Sequence, residues 1–305
     1  MHSRGGAAMS DTFFTTAPHW EWLVILYFFV GGIAAGSYFI AALLDLFGEP
    51  RDRPVVRLGY YVALAGAVLS AVLLTADLGR PERFWHMLIQ SHRGWPMFKW
   101  WSPMSVGSWG LSLFGLFALL AVLAAFEESG IVRRAGLGKL RRGVLGTLIV
   151  VLGGLCAFFV ASYTGVLLSV TNRPIWADTP FVGILFLFSA ASTAAAALIL
   201  LGRWRAAEST ATVHWLSWID SGALVLELLA LITLVVSLGS VARVWLSLWG
   251  AALVVGVVVA GILLPLALHL RPRLLGRLSV PTAAALVLVG GFLLRVIVVL
   301  SAEGV

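Results

Sequence analysis

The chain has 305 residues, of which 60% are apolar and 11% charged, against about a quarter charged in an ordinary globular domain. That composition excludes a soluble enzyme and a disordered chain. The single cysteine, Cys156, excludes an internal disulfide, a Cys-ligated zinc site and a self-contained iron–sulfur cluster. The net charge of +7 is scattered between hydrophobic runs, which argues for orienting loops and against a nucleic-acid surface.

An apolar run of about 20 residues crosses the hydrocarbon core as a helix. Such runs occur at 22–46, 56–78, 103–126, 143–170, 179–201, 213–239, 245–269 and 280–302. They predict an all-α polytopic membrane protein with eight transmembrane helices. Residues 1–20 lack the basic start and the small-residue cleavage site of a signal peptide, so the first run is expected to be a retained helix. That run contains GGIAAG, in which Gly32 and Gly36 form a G-x-x-x-G pair and Gly31 and Ala35 an adjacent small row. In lipid such rows let backbones approach closely, and they predict a helix contact. Gly290 and Gly291 in the last run repeat the signal.

The second run closes at Asp77 and leads into the longest loop between spans, 79–102, with a short interfacial helix expected after Pro81. Trp20, Trp22, Trp85, Trp95, Trp100, Trp101, Trp109 and Trp176 gather on that side. An interface belt explains one or two aromatics per helix end. Five between residues 85 and 109 suggest a platform on which another protein docks, with lipid anchoring as the alternative. Loop charge sets the orientation. Arg4, Arg80, Arg83, Arg93, Lys99, Arg173 and Arg243 lie on the platform side, and the larger set, at 51–57, 133–142, 203–205 and 271–277, lies opposite. Positive-inside then puts the platform and both termini outside the cytoplasm.

Ionisable residues inside spans are costly and mark function. Glu227 in the sixth run and Arg295 in the eighth sit at matching depth, roughly 21–23 Å from the inner boundary at the helical rise. They are expected to be close, either as a structural ion pair or as part of a proton route or ion site. Asp220, two turns deeper on nearly the same face, and Asp45, near the inner end of the first run, extend the possible line. A second group converges near the outer face: Tyr27, Asp77 and Tyr163 from three spans, with Arg80, His86 and Lys99 from the loop. A buried Tyr usually just satisfies its hydroxyl with a neighbour. Several polar groups at one depth among apolar walls suit a polar-headed lipophilic ligand. The six histidines, His2, His19, His86, His92, His214 and His269, avoid span centres, so no haem is expected. His214 and His269 lie at the inner edge, where they could face each other.

The segment TADLGRPERFWHML, followed by WWSPMSVGSWGL, resembles the NrfD-type family, the quinone-reactive membrane subunits of polysulfide-reductase-like complexes. YFFVGGIAAG, YTGVLLSVTNRPIW and GGFLLRVIVVL match the same family. The resemblance implies two four-helix bundles, here 1–175 and 176–305, with no haem or metal in the chain. It implies a quinone or menaquinone site near the outer face, beneath a ferredoxin-like subunit with four iron–sulfur clusters. A molybdopterin catalytic subunit would complete a respiratory oxidoreductase in a prokaryotic cytoplasmic membrane. In the polysulfide-reductase branch an Asn and a His on the first helix and a Tyr on the fourth contact the quinone headgroup. Aligned on GGIAAG, Val24 and Tyr27 take the first two places, and Tyr163 is the candidate for the third. Asp77 and Arg80 match the family motif. Asp77 and Tyr163 are then the expected catalytic pair, with Tyr27, His86 and Arg80 binding the quinone. A ligand-free structural anchor and, less favoured, an ion or proton transporter remain as alternatives. The soluble substrate (formate, polysulfide, thiosulfate, tetrathionate or arsenate) stays open.

Overall fold

The computed structural model describes residues 20, 22–92, 94–130, 143–204 and 210–302. Eight helices among them are long and apolar enough to cross a bilayer. They are α1 (Trp22–Phe47), α2 (Arg53–Asp77), α3 (Pro103–Glu128), α4 (Gly143–Ser169), α5 (Val182–Trp204), α6 (Thr210–Leu238), α7 (Leu248–Leu270) and α8 (Ser279–Leu300). No strand forms among the described residues beyond an isolated bridge between Ile89 and Pro96. The all-α, eight-span reading holds, with ends displaced by a few residues. The N-terminal segment, Arg93 and the basic stretches 131–142 and 205–209 lie outside the described residues.

Helix α1 is the central element, packed against α2, α4 and α5, while α5 also contacts α6 and α8. Small residues make this possible. A Cβ at Gly36 would overlap the carbonyl oxygen of Ala190 on α5, and one at Gly66 of α2 would overlap Ala34. The G-x-x-x-G row therefore faces α5, and α2 approaches the other side of α1 with its own glycine. Backbone contact of this kind yields dispersion energy that lipid tails cannot match.

Helix α7 departs from the sequence expectation. Residues Leu248–Ala252 are α-helical, Leu253–Leu263 form π-helical turns over 11 residues, and Leu264–Leu270 return to α. The sequence shows only Pro265, which lacks the N–H that would bond the carbonyl one turn earlier. Pro265 stands just past the π-helical turns, and within the widened stretch Gly261 meets Gly290 of α8 through their backbones.

The loop 79–102 folds onto the ends of α2 and α3. Pro81–Met87 is a 3₁₀ turn. Met97 N donates to Leu88 O (2.8 Å), Gln90 N to Trp95 O (2.9 Å) and Trp109 Nε1 to Met97 O (2.9 Å). These bonds make the loop a packed layer. On it Trp95, Trp100 and Trp101 are 68%, 75% and 65% exposed. Trp176, expected with them, is instead wholly buried. It donates Nε1 to Val298 O (2.8 Å) and stacks on Trp20 at 5.3 Å, so it ties α8 to the segment before α1.

Candidate quinone cavity and buried charge line

Beneath the loop lies a cavity of about 240 Å³. Its walls come from α1 (Val24, Tyr27), α2 (Leu74, Thr75, Asp77), the 3₁₀ turn (Phe84, Met87), α3 (Met104, Gly107, Ser108, Leu111, Ser112) and α4 (Tyr163, Leu167). Tyr27, Asp77 and Tyr163, from three different spans, thus meet around one hollow. Val24, one helical turn before Tyr27, shares the wall.

Each polar group is held differently. Tyr27 is buried, and its hydroxyl bonds no other described residue. Tyr163 donates to the carbonyl of Pro103 (2.5 Å), which opens α3. Its ring can lie that close because Gly107 has no side chain: a Cβ there would sit inside the Tyr163 ring. Phe159 stacks on the same ring at 5.3 Å. Asp77 closes α2 at the cavity rim. Ser108 donates to Met104 O (2.8 Å) and Ser112 to Ser108 O (2.7 Å), so these hydroxyls are engaged by their own helix. The lining therefore mixes apolar walls with a few polar groups, which fits an apolar ring bearing carbonyl oxygens.

Two loop residues expected to bind do not line this cavity. Arg80 is exposed ahead of the 3₁₀ turn, and His86 lies half-buried against Trp85, ring centroids 3.8 Å apart. Lys99 is exposed on the loop. All three belong to the layer covering the hollow. Sequence reasoning missed Thr75 and Ser108, because a hydroxyl in a span end gives no signal of which way it faces.

The buried charges form a second construction. Glu227 and Arg295 are both buried but do not touch. Ser192 donates to Glu227 Oε2 (2.9 Å), and Arg295 Nη1 donates to Ser189 Oγ (3.0 Å). Ser189 and Ser192 lie one turn apart on α5, so two hydroxyls stand between the charges expected to pair. Arg295 also donates Nη1 to Gly291 O (2.6 Å) and Nε to Phe28 O (3.1 Å), while Nη2 has no partner. Both oxygens of fully buried Asp220 lack a hydrogen bond; His269 Nδ1 stands 3.6 Å from Oδ2, and Ser221 lies 3.2 Å from that same nitrogen. His269 therefore faces Asp220 and not His214, which opens onto a crevice between α1 and α6.

Asp45 does not join this line. It pairs with Arg53 and accepts from Tyr60 (2.9 Å) at the other end of α2, in a polar hollow of about 160 Å³ with Arg57 and Glu128. The sequence places Asp45 near the same membrane boundary as Asp220, but α1 turns it toward α2.

The family described as polysulphide reductase, NrfD, matches residues 11–303. Protein NrfD of Escherichia coli (strain K12) is 30% identical over 201 residues, 59% of this chain and 58% of that one. A selenate reductase subunit of Mesobacillus selenatarsenatis is 24% identical over 122 residues, 40% of this chain and 26% of that one. A polysulfide reductase chain of Wolinella succinogenes is 28% identical over 271 residues, 82% of each. The present sequence thus spans little more than half of the first relative, about a quarter of the second and most of the third. With eight spans and a match over nearly its whole length, the chain is a multi-pass membrane protein and belongs to the polysulphide reductase NrfD family.

Proposed function

We propose that this chain is the quinone-reactive membrane subunit of a respiratory oxidoreductase, exchanging two electrons between the quinone pool and an iron–sulfur subunit. The observation that carries this reading is the cavity holding Tyr27, Asp77 and Tyr163 beneath an exposed aromatic layer. Relatives named as polysulfide and selenate reductase chains support a place within a reductase complex. A quinone or menaquinone supplies the two-electron redox chemistry as substrate. The electrons pass to or from a cluster in a partner subunit, because two-electron quinone chemistry needs a nearby electron carrier. That partner is a four-cluster ferredoxin-like protein on the loop 79–102 face, joined in turn to a molybdopterin subunit. The loop face is extracytoplasmic and the membrane is the prokaryotic inner one.

Within the cavity the unpaired Tyr27 hydroxyl donates a hydrogen bond to one carbonyl end of the ligand. Tyr163, held by Pro103, fixes the opposite wall with its ring. Asp77 at the rim exchanges protons with the outside. The apolar residues between them exclude water and keep the headgroup oriented. The test uses the intact complex with a water-soluble quinol analogue. Tyr27→Phe and Asp77→Asn are expected to cut turnover while dye-linked activity of the soluble subunits stays intact. Unchanged quinol turnover in both variants would defeat the reading.

A second element concerns coupling. Two segments lie in line: His269 with Asp220, and, two turns along α6, Glu227 with Ser192, Ser189 and Arg295, which ends at the carbonyl of Phe28, the residue after Tyr27. Burial of unpartnered acidic and basic atoms in lipid is expensive unless they handle protons or water. We read this line as a proton path from the opposite face toward α1, coupled to turnover in the cavity.

A further inference from the structure

Helices α1, α4, α5 and α6 leave a second hollow, which shares no lining residue with the quinone cavity. It is an apolar groove of about 410 Å³ walled by Phe39, Phe158, Phe188, Trp218, Gly222 and Leu226, among others. At Leu43 and Trp218 it runs into a crevice of about 450 Å³ at the α1–α2 turn, lined by Glu49, Arg51, Asp52, His214 and Trp215. The two hollows therefore share two walls and change chemistry where the hydrocarbon ends. Along α1 they extend from Ala35 to Phe47, roughly 18 Å at the helical rise. That is close to the depth of one leaflet, about half of a 30 Å core.

The charges at the mouth are of both signs. Arg51 Nη2 meets Glu49 Oε1 at 3.0 Å, with both side chains more than half exposed. Asp52 is spent: Oδ1 accepts from Thr212 (2.7 Å) and Oδ2 from the Glu49 N–H (2.9 Å). Among the described lining residues this leaves at the surface one guanidinium with further donors, one carboxylate with a second oxygen, and the His214 ring. Trp215 and Trp218 stand at the level where aromatic residues meet headgroups.

We propose that this composite hollow is a binding site for a single zwitterionic glycerophospholipid of the leaflet at the α1–α2 turn. One acyl tail lies in the groove between α1 and α6. The phosphate takes the remaining donors of Arg51 and the cationic headgroup takes the free oxygen of Glu49. The bound lipid then fills the seam that the small residues of α1 and α6 leave open.

Gly222 supplies the test, because a Cβ built there meets nothing within 4 Å and its outward face opens onto the groove. The complex is purified in mild detergent, and bound lipids are quantified by mass spectrometry. Delipidated complex is then offered vesicles of phosphatidylethanolamine or of phosphatidylglycerol. Wild type is expected to retain one phospholipid per protomer at this site and to favour phosphatidylethanolamine. Gly222→Leu should lose that molecule, and the milder Gly222→Ala should weaken its retention, with assembly unchanged in both. The double change Glu49→Gln with Arg51→Gln should keep binding and lose the preference. Equal retention by wild type and Gly222→Leu, release of quinone instead of phospholipid, no retained lipid in wild type (as when a partner helix fills the groove), or preference for phosphatidylglycerol would each overturn the proposal.

Discussion

Arg295 of α8 donates its Nε hydrogen to the carbonyl of Phe28 on α1 at 3.1 Å, which sets a buried guanidinium one residue away from Tyr27 in the cavity wall. The same side chain bonds Ser189 and the carbonyl of Gly291, so three helices share one cation.

Replacing Arg295 removes three hydrogen bonds and leaves Glu227 without its nearest buried cation. Arg295→Met is expected to destabilise the membrane subunit by about 3 kcal/mol or more, because each lost hydrogen bond to a charged group contributes roughly 1.5–3 kcal/mol. Arg295→Lys should not restore the loss, because an ammonium cannot reproduce the planar fork. Thermal unfolding in detergent checks both.

Gly107 and Gly115 lie on the same helix in opposite circumstances. A Cβ at Gly107 would overlap the Tyr163 ring, whereas one at Gly115 meets nothing within 4 Å. Gly107→Ala should displace the Tyr163 ring from the cavity wall and raise the KM for quinol roughly tenfold, equivalent to about 1.4 kcal/mol of binding. Gly115→Ala should leave kinetics unchanged and serves as the control.

Glu227→Gln should abolish proton translocation in proteoliposomes while quinol turnover in detergent continues. Asp45→Asn should leave translocation intact, because Asp45 pairs with Arg53 and Tyr60 away from the Asp220 line. Loss of translocation in Asp45→Asn with retention in Glu227→Gln would reverse the assignment.

Trp100 and Trp101 project from the loop layer with their rings edge to face, 5.8 Å apart. Large aromatics at the centre of an interface cost about 2 kcal/mol or more on truncation. Trp100→Ala with Trp101→Ala should therefore weaken association with the soluble subunits, read as their loss during purification. Trp109→Phe is expected to act differently: it removes the bond to Met97 and loosens the loop itself.

The eight spans were legible because a bilayer imposes a minimum apolar length, and composition alone satisfies it. The meeting of Tyr27, Asp77 and Tyr163 was legible from depth, since helix rise converts residue number into height. Azimuth was not legible. Asp45 and Asp220 lie near the same boundary, yet one faces α2 and the other α7, because rotation about each axis is set by small-residue contacts with particular neighbours. Ser189 and Ser192 escaped notice for the same reason: hydroxyls in an apolar span declare nothing until a partner helix supplies a carboxylate. Trp176 read as an interface aromatic because its indole partner, the carbonyl of Val298, is 122 residues away. The π-helical stretch of α7 leaves no mark beyond a proline at its end.

Around Ala34 and Gly36, helix α1 touches α2 and α5 through bare backbone on opposite sides, with little side chain at those points to absorb a shift. Close-packed matter of this kind transmits strain instead of damping it. A tilt imposed where Tyr27 meets an incoming molecule must then be felt at once by the guanidinium gripping Phe28 from behind. Under the proposed function, the central helix is the stiff connection between the cavity on one flank and the buried charges on the other.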